Sequence, residues 1–280
     1  MEFNNDTNVF ECSGKERNIY SDKTYNMLRD GISVKSLLHA AQYEKDICKS
    51  DFIKLPIYLN SEAQAFGADI IIDEKGIRIL QYKYDSLDEF IKTIPNYTEV
   101  FQVQIIECIK QLKLEPVLLK ATGAFSILAT LIEPFKLYKS MKKEPEKLHK
   151  ALSFINERLS LYIIDALKSG AFVISFADPM GLYALMGKNS YIEFIADYQK
   201  ELFLSLVPYL TSSILHLCGK NSVDLQRVGF IKKEQLECSQ LTYGKELLKR
   251  AEDPDFKICG FGCINEEDEK KQWIYKLTMI

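Results

Sequence analysis

Short apolar runs alternate with longer stretches of helical pattern along most of the chain. Apolar side chains recur every three or four positions, which predicts helices, over residues 22–51, 86–112, 127–138, 145–169, 192–206 and 241–250. Between them lie short runs rich in β-branched residues, which predict strands, at 57–59, 69–73, 76–80, 115–120, 171–178, 212–219, 228–231, 236–239, 256–259 and 273–277.

Strands that alternate with helices indicate repeated βα units and a parallel sheet. About eight of the strand candidates continue this alternation without a linker rich in Pro, Gly or Ser, so we expect an α/β protein with a (β/α)8 TIM barrel fold. A flavodoxin-like open sheet is the second choice. We expect residues 1–20 to form an irregular arm and residues 21–280 to form one domain.

The composition narrows the function classes. A hydrophobic share of 47% and a net charge of −3 fit an ordinary globular protein and argue against a nucleic-acid binder. No apolar run is long enough for a membrane span, and the N-terminus lacks the pattern of a signal peptide. Seven irregularly spaced cysteines favour a reducing cytoplasm, where thiols are free to bind a metal.

The strand around His216 carries the best candidate chemistry. Residues i and i+2 of a strand point to the same side, so the imidazole of His216 and the thiol of Cys218 project together. Zinc takes such ligands. The Gly-rich turn Cys259–Cys263 offers a further cysteine. The ordinary alternative is a histidine and a cysteine of the apolar core.

Other polar residues are predicted at the same end of the sheet. Thr122, Asp178 and Cys263 follow predicted strands, and active sites of barrels form at the carboxyl ends of strands. Asp178 either orients a substrate, partners His216, or caps a loop. Glu62 is expected to be a carboxylate at a helix N-terminus.

Five stretches resemble the uroporphyrinogen decarboxylase superfamily, and specifically its cobalamin-dependent (methylcobamide:coenzyme M type) methyltransferase branch. They occur in the order of that family, at residues 62–68, 122–126, 144–149, 170–179 and 215–219. The resemblance implies a barrel and a zinc ion held by the His and Cys of the His-x-Cys motif plus a later Cys. Carried over, the ligands are His216, Cys218 and Cys263, with Cys259 as the rival for the third place.

The resemblance also implies a reaction. A methyl group would move between methylcobalamin or another corrinoid on a partner protein and a thiol or similar one-carbon acceptor, whose sulfur zinc would hold as thiolate. The corrinoid protein would approach a rim at residues 122–126 and 178–190, with Thr122 and Gly123 as cofactor-binding residues and Asp178 as the catalytic residue.

The chain departs from the family pattern in two places. An obvious barrel strand before residue 50 is missing, and the interval between Cys218 and Cys263 is short, so we expect a trimmed N-terminal strand and a shortened late βα unit. One alternative function is uroporphyrinogen decarboxylation, although that carboxylate-rich substrate calls for more than the six arginines present. The other is a non-catalytic barrel that binds a corrinoid or a partner.

Overall fold

A computed structural model of the chain describes residues 21–280, apart from residue 30 and the segments 58–60, 74–75 and 95–96. The predicted arm at residues 1–20 lies outside the described residues. Residues 58 and 59 of the strand expected at 57–59 also lie outside the described residues. The first described strand lies slightly earlier, at Ile53–Leu55.

Nine strands occur in the described residues. They are β1 (Ile53–Leu55), β2 (Ile70–Asp73), β3 (Gly76–Ile79), β4 (Val117–Thr122), β5 (Ala171–Ala177), β6 (Ile214–Cys218), β7 (Ile231–Glu237), β8 (Ile258–Gly262) and β9 (Trp273–Met279). The two runs predicted at 228–231 and 236–239 thus form a single strand, β7. Its exposed polar residues Lys232 to Gln235 hid this continuity, since they interrupt the apolar pattern.

Most α-helices of the described residues overlap the predicted helical segments, whereas three, at residues 183–186, 188–191 and 219–227, were not predicted. The α-helices are α1 (Asp22–Arg29), α2 (Val34–Cys48), α3 (Leu87–Thr93), α4 (Val100–Gln111), α5 (Ala124–Leu131), α6 (Pro134–Lys143), α7 (Pro145–Ser169), α8 (Tyr183–Met186), α9 (Lys188–Tyr191), α10 (Asp197–Leu206), α11 (Gly219–Arg227) and α12 (Tyr243–Arg250). Ser61–Phe66 forms a 3₁₀ helix. Proline sets the start of both α6 and α7, and Gly170 in the left-handed region ends α7.

The main sheet is a mixed one with the strand order β1-β4-β5-β6-β8-β9-β7. The first five strands in this order run parallel, and β9 is antiparallel to both of its neighbours. The fold is therefore α/β with a parallel sheet, compatible with a TIM barrel. In the described residues the sheet stays open, so the closed barrel of eight parallel strands expected from the sequence is not present.

The antiparallel end of the sheet has a local cause. Residues 263–272 connect β8 to β9 and contain only the short 3₁₀ helix Ile264–Glu266. A parallel neighbour requires a crossover of about a dozen residues or more, usually with an α-helix. The chain lacks such a crossover here and turns back beside β8.

The two faces of the sheet pack against different helices. Leu119, Ile174 and Leu215 belong to the large core with α5, α7 and α10, and we call this side the helix face. The preceding residues of the same strands point to the opposite side. There they pack in a second core with Tyr243, Leu247 and Phe256, and we call this side the α12 face; its strand residues are Leu118, Val173 and Ile214. Helix α12 thus covers the face that would line the interior of a barrel.

In the described residues, no helix is long and apolar enough to serve as a membrane span.

Candidate metal and active site

His216 and Cys218 lie on the α12 face of β6, as predicted. Their neighbours Leu215 and Leu217 point to the helix face and anchor the strand in the large core. His216 is buried, with 1% of its surface exposed, whereas Cys218 is partly exposed at the carboxyl end of the strand. The i, i+2 spacing therefore gives the two side chains a common direction but different access to solvent.

The late cysteines lie on the neighbouring strand. Cys259 is the register partner of His216 across the β6–β8 pair and is fully buried, whereas Cys263 directly follows β8 and is partly exposed. The register shifts between His216 and Cys218, so that Cys218 pairs with Gly262. Cys218 and Cys263 thus lie at the carboxyl ends of two adjacent parallel strands, whereas His216 and Cys259 lie earlier in the same strands.

A small cavity of about 80 Å³ lies beside these strand ends. Cys218 and Cys263 both line it, together with Tyr243, and Glu266, Lys271 and Trp273 form part of its polar and aromatic wall. His216 does not line the cavity. The two partly exposed cysteines therefore share one small space, and the histidine lies buried behind it.

His216 has two buried ring nitrogens without a hydrogen-bond partner in the described structure. Burial lowers the pKa of His216 to about 4, so the imidazole is neutral near pH 7 and a lone pair is available to a metal. The ring packs edge-on against Tyr243, with 5.9 Å between the centroids. A buried polar group without a partner is rare in proteins and calls for an explanation, such as a missing ion.

The donor types fit zinc, although the donors are not preassembled. A neutral imidazole and two thiols are a ligand set that zinc prefers, and the unpartnered nitrogens of His216 supply the structural reason to expect an ion. Within the described residues, however, no three His, Cys, Asp or Glu side chains are gathered closely enough to hold a metal. Coordination by His216, Cys218 and Cys263 would require side-chain rotation at the cavity.

Tyr243 was not singled out by the sequence reasoning. It is 2% exposed, and its hydroxyl interacts with the thiol of Cys259. Burial and the neighbouring Cys259 raise the pKa of Tyr243 well above its usual value. Burial likewise raises the pKa of the Cys259 thiol. Nothing in the local sequence marks Tyr243, because its position follows from how α12 packs over the sheet.

Asp178 lies on the helix face of the sheet, at the end of β5. Its Oδ1 accepts hydrogen bonds from the backbone N–H (3.0 Å) and the hydroxyl (2.5 Å) of Ser126, and its Oδ2 accepts one from Gln199 (3.3 Å). Burial raises the pKa of the Asp178 carboxyl. None of these bonds reaches His216, so the expected partnership with His216 is absent. The contacts are those of a carboxylate that organises a loop.

Thr122 and Gly123 lie at the end of β4. The backbone N–H of Thr122 donates to Oε1 of Glu62 at 2.8 Å, and Glu62 is 2% exposed with a pKa raised by burial. Glu62 lies in the first turn of the 3₁₀ helix Ser61–Phe66, as expected, and it is also a buried carboxylate that holds a strand end. A Cβ on Gly123 would lie 2.3 Å from Cγ of Asp178, so this glycine makes room for that carboxylate.

A polar row crosses the α12 face beneath the cavity. Lys120, Ser175 and His216 are successive register partners on β4, β5 and β6. Burial lowers the pKa of Lys120 to about 8, and the nearby Glu267 and Glu44 partly oppose this shift. A row of polar side chains thus extends across the sheet from His216 on β6 to Lys120 on β4.

Comparisons with known proteins support a family assignment. A profile of the uroporphyrinogen decarboxylase (URO-D) family matches residues 42–265. Among solved structures, the fold is similar to a methyltransferase from Methanosarcina mazei, with a TM-score of 0.56 and 19% sequence identity over 71% of this chain. The likeness spans 61% of that methyltransferase chain. Comparison with curated proteins finds no match.

The matched residues begin within α2 and end within the 3₁₀ helix after Cys263, so they include β1, the polar row and both cysteines of the cavity wall, but not Glu266, Lys271 or Trp273. This match covers most of the chain and places both candidate strands, β6 and β8, inside the family domain. The chain belongs to the uroporphyrinogen decarboxylase family.

Proposed function

We propose that this protein is a zinc-dependent methyltransferase that moves a methyl group between a corrinoid on a partner protein and a small thiol. The observation that carries the proposal is a neutral, buried imidazole with two unpartnered nitrogens, His216, beside a cavity lined by Cys218 and Cys263. The similarity in fold to a methyltransferase supports the same class.

Zinc bound at these donors would hold the sulfur of the acceptor as a thiolate near neutral pH. The residues of the chain would supply the rest. Cys218 and Cys263 face the cavity and would hold the ion from two adjacent strands. His216 would bind as a neutral ligand, because its burial prevents protonation. Apolar packing on the α12 face, including Leu247, would keep water away from the back of the site.

The size of the cavity argues against uroporphyrinogen decarboxylation. Pockets for ligands of drug size span about 300–1,000 Å³, and a tetrapyrrole is larger still, whereas the cavity beside Cys218 and Cys263 measures about 80 Å³. Leu118, Val173 and Ile214 fill the α12 face nearby. A short thiol is the acceptor class that this space favours.

The rim near the site offers an approach for a partner protein. Helix α8 follows the loop after Asp178, and none of its residues is buried. Leu185 of this helix is 54% exposed. This exposed apolar side chain near the carboxyl end of β5 would contact a docked corrinoid protein.

The test is zinc analysis of the purified protein followed by methyl transfer from free methylcobalamin to 2-mercaptoethanol. We expect about one zinc per chain and a transfer rate above the background without protein. A stable protein that holds no zinc and transfers no methyl group would contradict the proposal. That outcome would favour a non-catalytic member of the family that binds a corrinoid or a partner.

A further inference from the structure

The pairing of β6 with β8 contains one extra residue on β8. His216 pairs with Cys259, whereas Cys218 pairs with Gly262, so two steps along β6 match three steps along β8. Such a register shift is a β-bulge, which re-aims the residues that follow it. Phe261 lies at this place with a φ of 61°, in the left-handed region that residues other than glycine rarely adopt. The extra residue is therefore accommodated directly before Gly262.

The bulge shortens the distance between Cys218 and Cys263. Cys263 directly follows the register partner of Cys218. With about 4.8 Å between strands and about 3.3 Å per residue, this places their Cα atoms about 6 Å apart. Without the extra residue Cys263 would lie two positions beyond the partner, at about 8 Å. Disulfides join Cα atoms about 4.4–6.8 Å apart and fail beyond about 7 Å. The bulge therefore brings this pair within the range of a disulfide.

The two cysteines share a space that a small oxidant can enter. Both are partly exposed, and both line the cavity of about 80 Å³ at the strand ends. A cavity of this size holds several water molecules, and hydrogen peroxide is only slightly larger than water. Oxidation of cysteine follows exposure, so these two sulfurs are accessible whereas the fully buried Cys259 is not.

We propose that Cys218 and Cys263 form a modification site for peroxides, at which oxidation closes a disulfide between β6 and β8. The sulfur of one cysteine, after losing its proton, attacks hydrogen peroxide; the O–O bond breaks, a sulfenic acid forms, and the hydroxide that leaves takes up the proton as water. The second sulfur then attacks the sulfenic sulfur, so that the S–S bond forms, the S–O bond breaks and a second water leaves. Two thiols and one peroxide thus give one disulfide and two waters, and a dithiol reductant reverses the change.

This modification goes beyond the proposed function, because it needs no bound metal. It has one consequence that does rest on the proposed function. Metals bind the thiolate form of cysteine, which a disulfide does not offer. Zinc at Cys218 and Cys263 and a disulfide between them would exclude each other, so a peroxide would inactivate the site and a reductant would restore it.

The test maps the crosslink in the full-length protein. The purified protein is treated with EDTA to remove any bound metal, then with hydrogen peroxide, and is digested without reduction for mass spectrometry. We expect a linked pair of peptides that contain Cys218 and Cys263, lighter by two hydrogens than their sum. Dithiothreitol should separate them.

Cys259→Ser is the matched control. Cys259 is the register partner of His216, two residues before Cys218, which places it about 8 Å from Cys218 and out of reach of a disulfide. This variant should form the crosslink as the wild type does. Cys218→Ser should instead hold Cys263 as a sulfenic acid, which dimedone labels in the variant far more than in the wild type.

The outcomes separate this inference from the proposed function. Oxidised wild type without the linked peptides, or with Cys218 linked to another cysteine, overturns the modification site. Zinc analysis of the untreated protein reports on the proposed function independently. Protein that holds no zinc but forms the crosslink supports this inference and contradicts the proposed function, whereas protein that holds zinc and forms no crosslink after EDTA treatment overturns only this inference.

Discussion

His216 and Cys259 are register partners on adjacent parallel strands, so their side chains lie on the same face of the sheet. Cys263 is farther along the chain but lines the cavity, whereas Cys259 is fully buried. Both cysteines are therefore candidates for the third ligand position. Cys259 is the register partner of the histidine, and Cys263 has access to the cavity.

Single cysteine substitutions resolve this competition. We expect Cys218→Ser and Cys263→Ser to lose tight zinc binding, because serine is a poor zinc ligand, while Cys259→Ser retains it. Zinc is measured in each purified protein by atomic emission, and circular dichroism confirms that each variant is folded. Zinc lost in Cys259→Ser and retained in Cys263→Ser would reverse the assignment, and equal zinc in Cys218→Ser and the wild type would remove the proposed site.

Replacement of Asp178 should reduce stability. Asp178→Ala leaves the backbone N–H and hydroxyl of Ser126 without their acceptor, so we expect the free energy of unfolding to fall by about 2–3 kcal/mol. Asp178→Asn should lose less, because the buried and unpartnered Oε1 of Gln199 can accept from the new amide after the Gln199 amide flips. Urea denaturation measures both. Equal losses would show that the negative charge itself is required.

Gly123 should not tolerate a side chain. In Gly123→Ala the new Cβ would lie 2.3 Å from Cγ of Asp178, so the strand end or the carboxylate must shift, at a cost of about 1–3 kcal/mol. Gly219→Ala is the control, since its Cβ would meet the Gly262 carbonyl at an ordinary 3.5 Å. Thermal unfolding compares the two. A melting temperature as high in Gly123→Ala as in Gly219→Ala would show that the loop relaxes freely.

Lys120 should make stability depend on pH in the alkaline range. Its pKa falls from 10.5 to about 8 on burial, so between these values the unfolded chain binds the proton and the folded protein does not. Stability relative to Lys120→Met should therefore rise as the pH rises from 8 to 10, by on the order of 1 kcal/mol because the side chain is partly exposed. At pH 7 and below, where both states bind the proton, the difference should be nearly constant.

Urea denaturation of both proteins at pH 7, 8, 9 and 10 tests this dependence. A stability difference that stays flat above pH 8 would show that the lysine keeps its ordinary pKa in the folded protein.

The packing of α12 across the sheet predicts a large effect at Leu247. This side chain is fully buried in the α12-face core, so Leu247→Ala should cost about 2–5 kcal/mol. Leu204→Ala, at a site that is 48% exposed on α10, should change the free energy of unfolding by about 0.5 kcal/mol or less. Similar small effects for both variants in chemical denaturation would mean that α12 does not cover the sheet in solution.

Local sequence determined much of the fold. The helical period of residues 145–169 and the flanking Pro145 and Gly170 correspond to α7 with the same bounds. The apolar run 171–178 corresponds to β5, Ala171–Ala177. The alternation of β6 places His216 and Cys218 on one face. In each case the local residues determine the bounds of the element or the face of its side chains. This is because side-chain period, proline and glycine act within a few positions of the chain.

Tertiary structure decided the rest, since it depends on contacts between residues far apart in sequence. The alternation of strands and helices predicted a closed barrel, but periodicity does not report whether β9 pairs parallel or antiparallel with β8. The hydrogen bonds of Asp178 to Ser126 and Gln199, and the packing of Tyr243 on His216, likewise join segments that no local pattern connects. The sequence thus singled out His216, Cys218 and the late cysteines, and only their burial and pairing in three dimensions determined which of them face a common cavity.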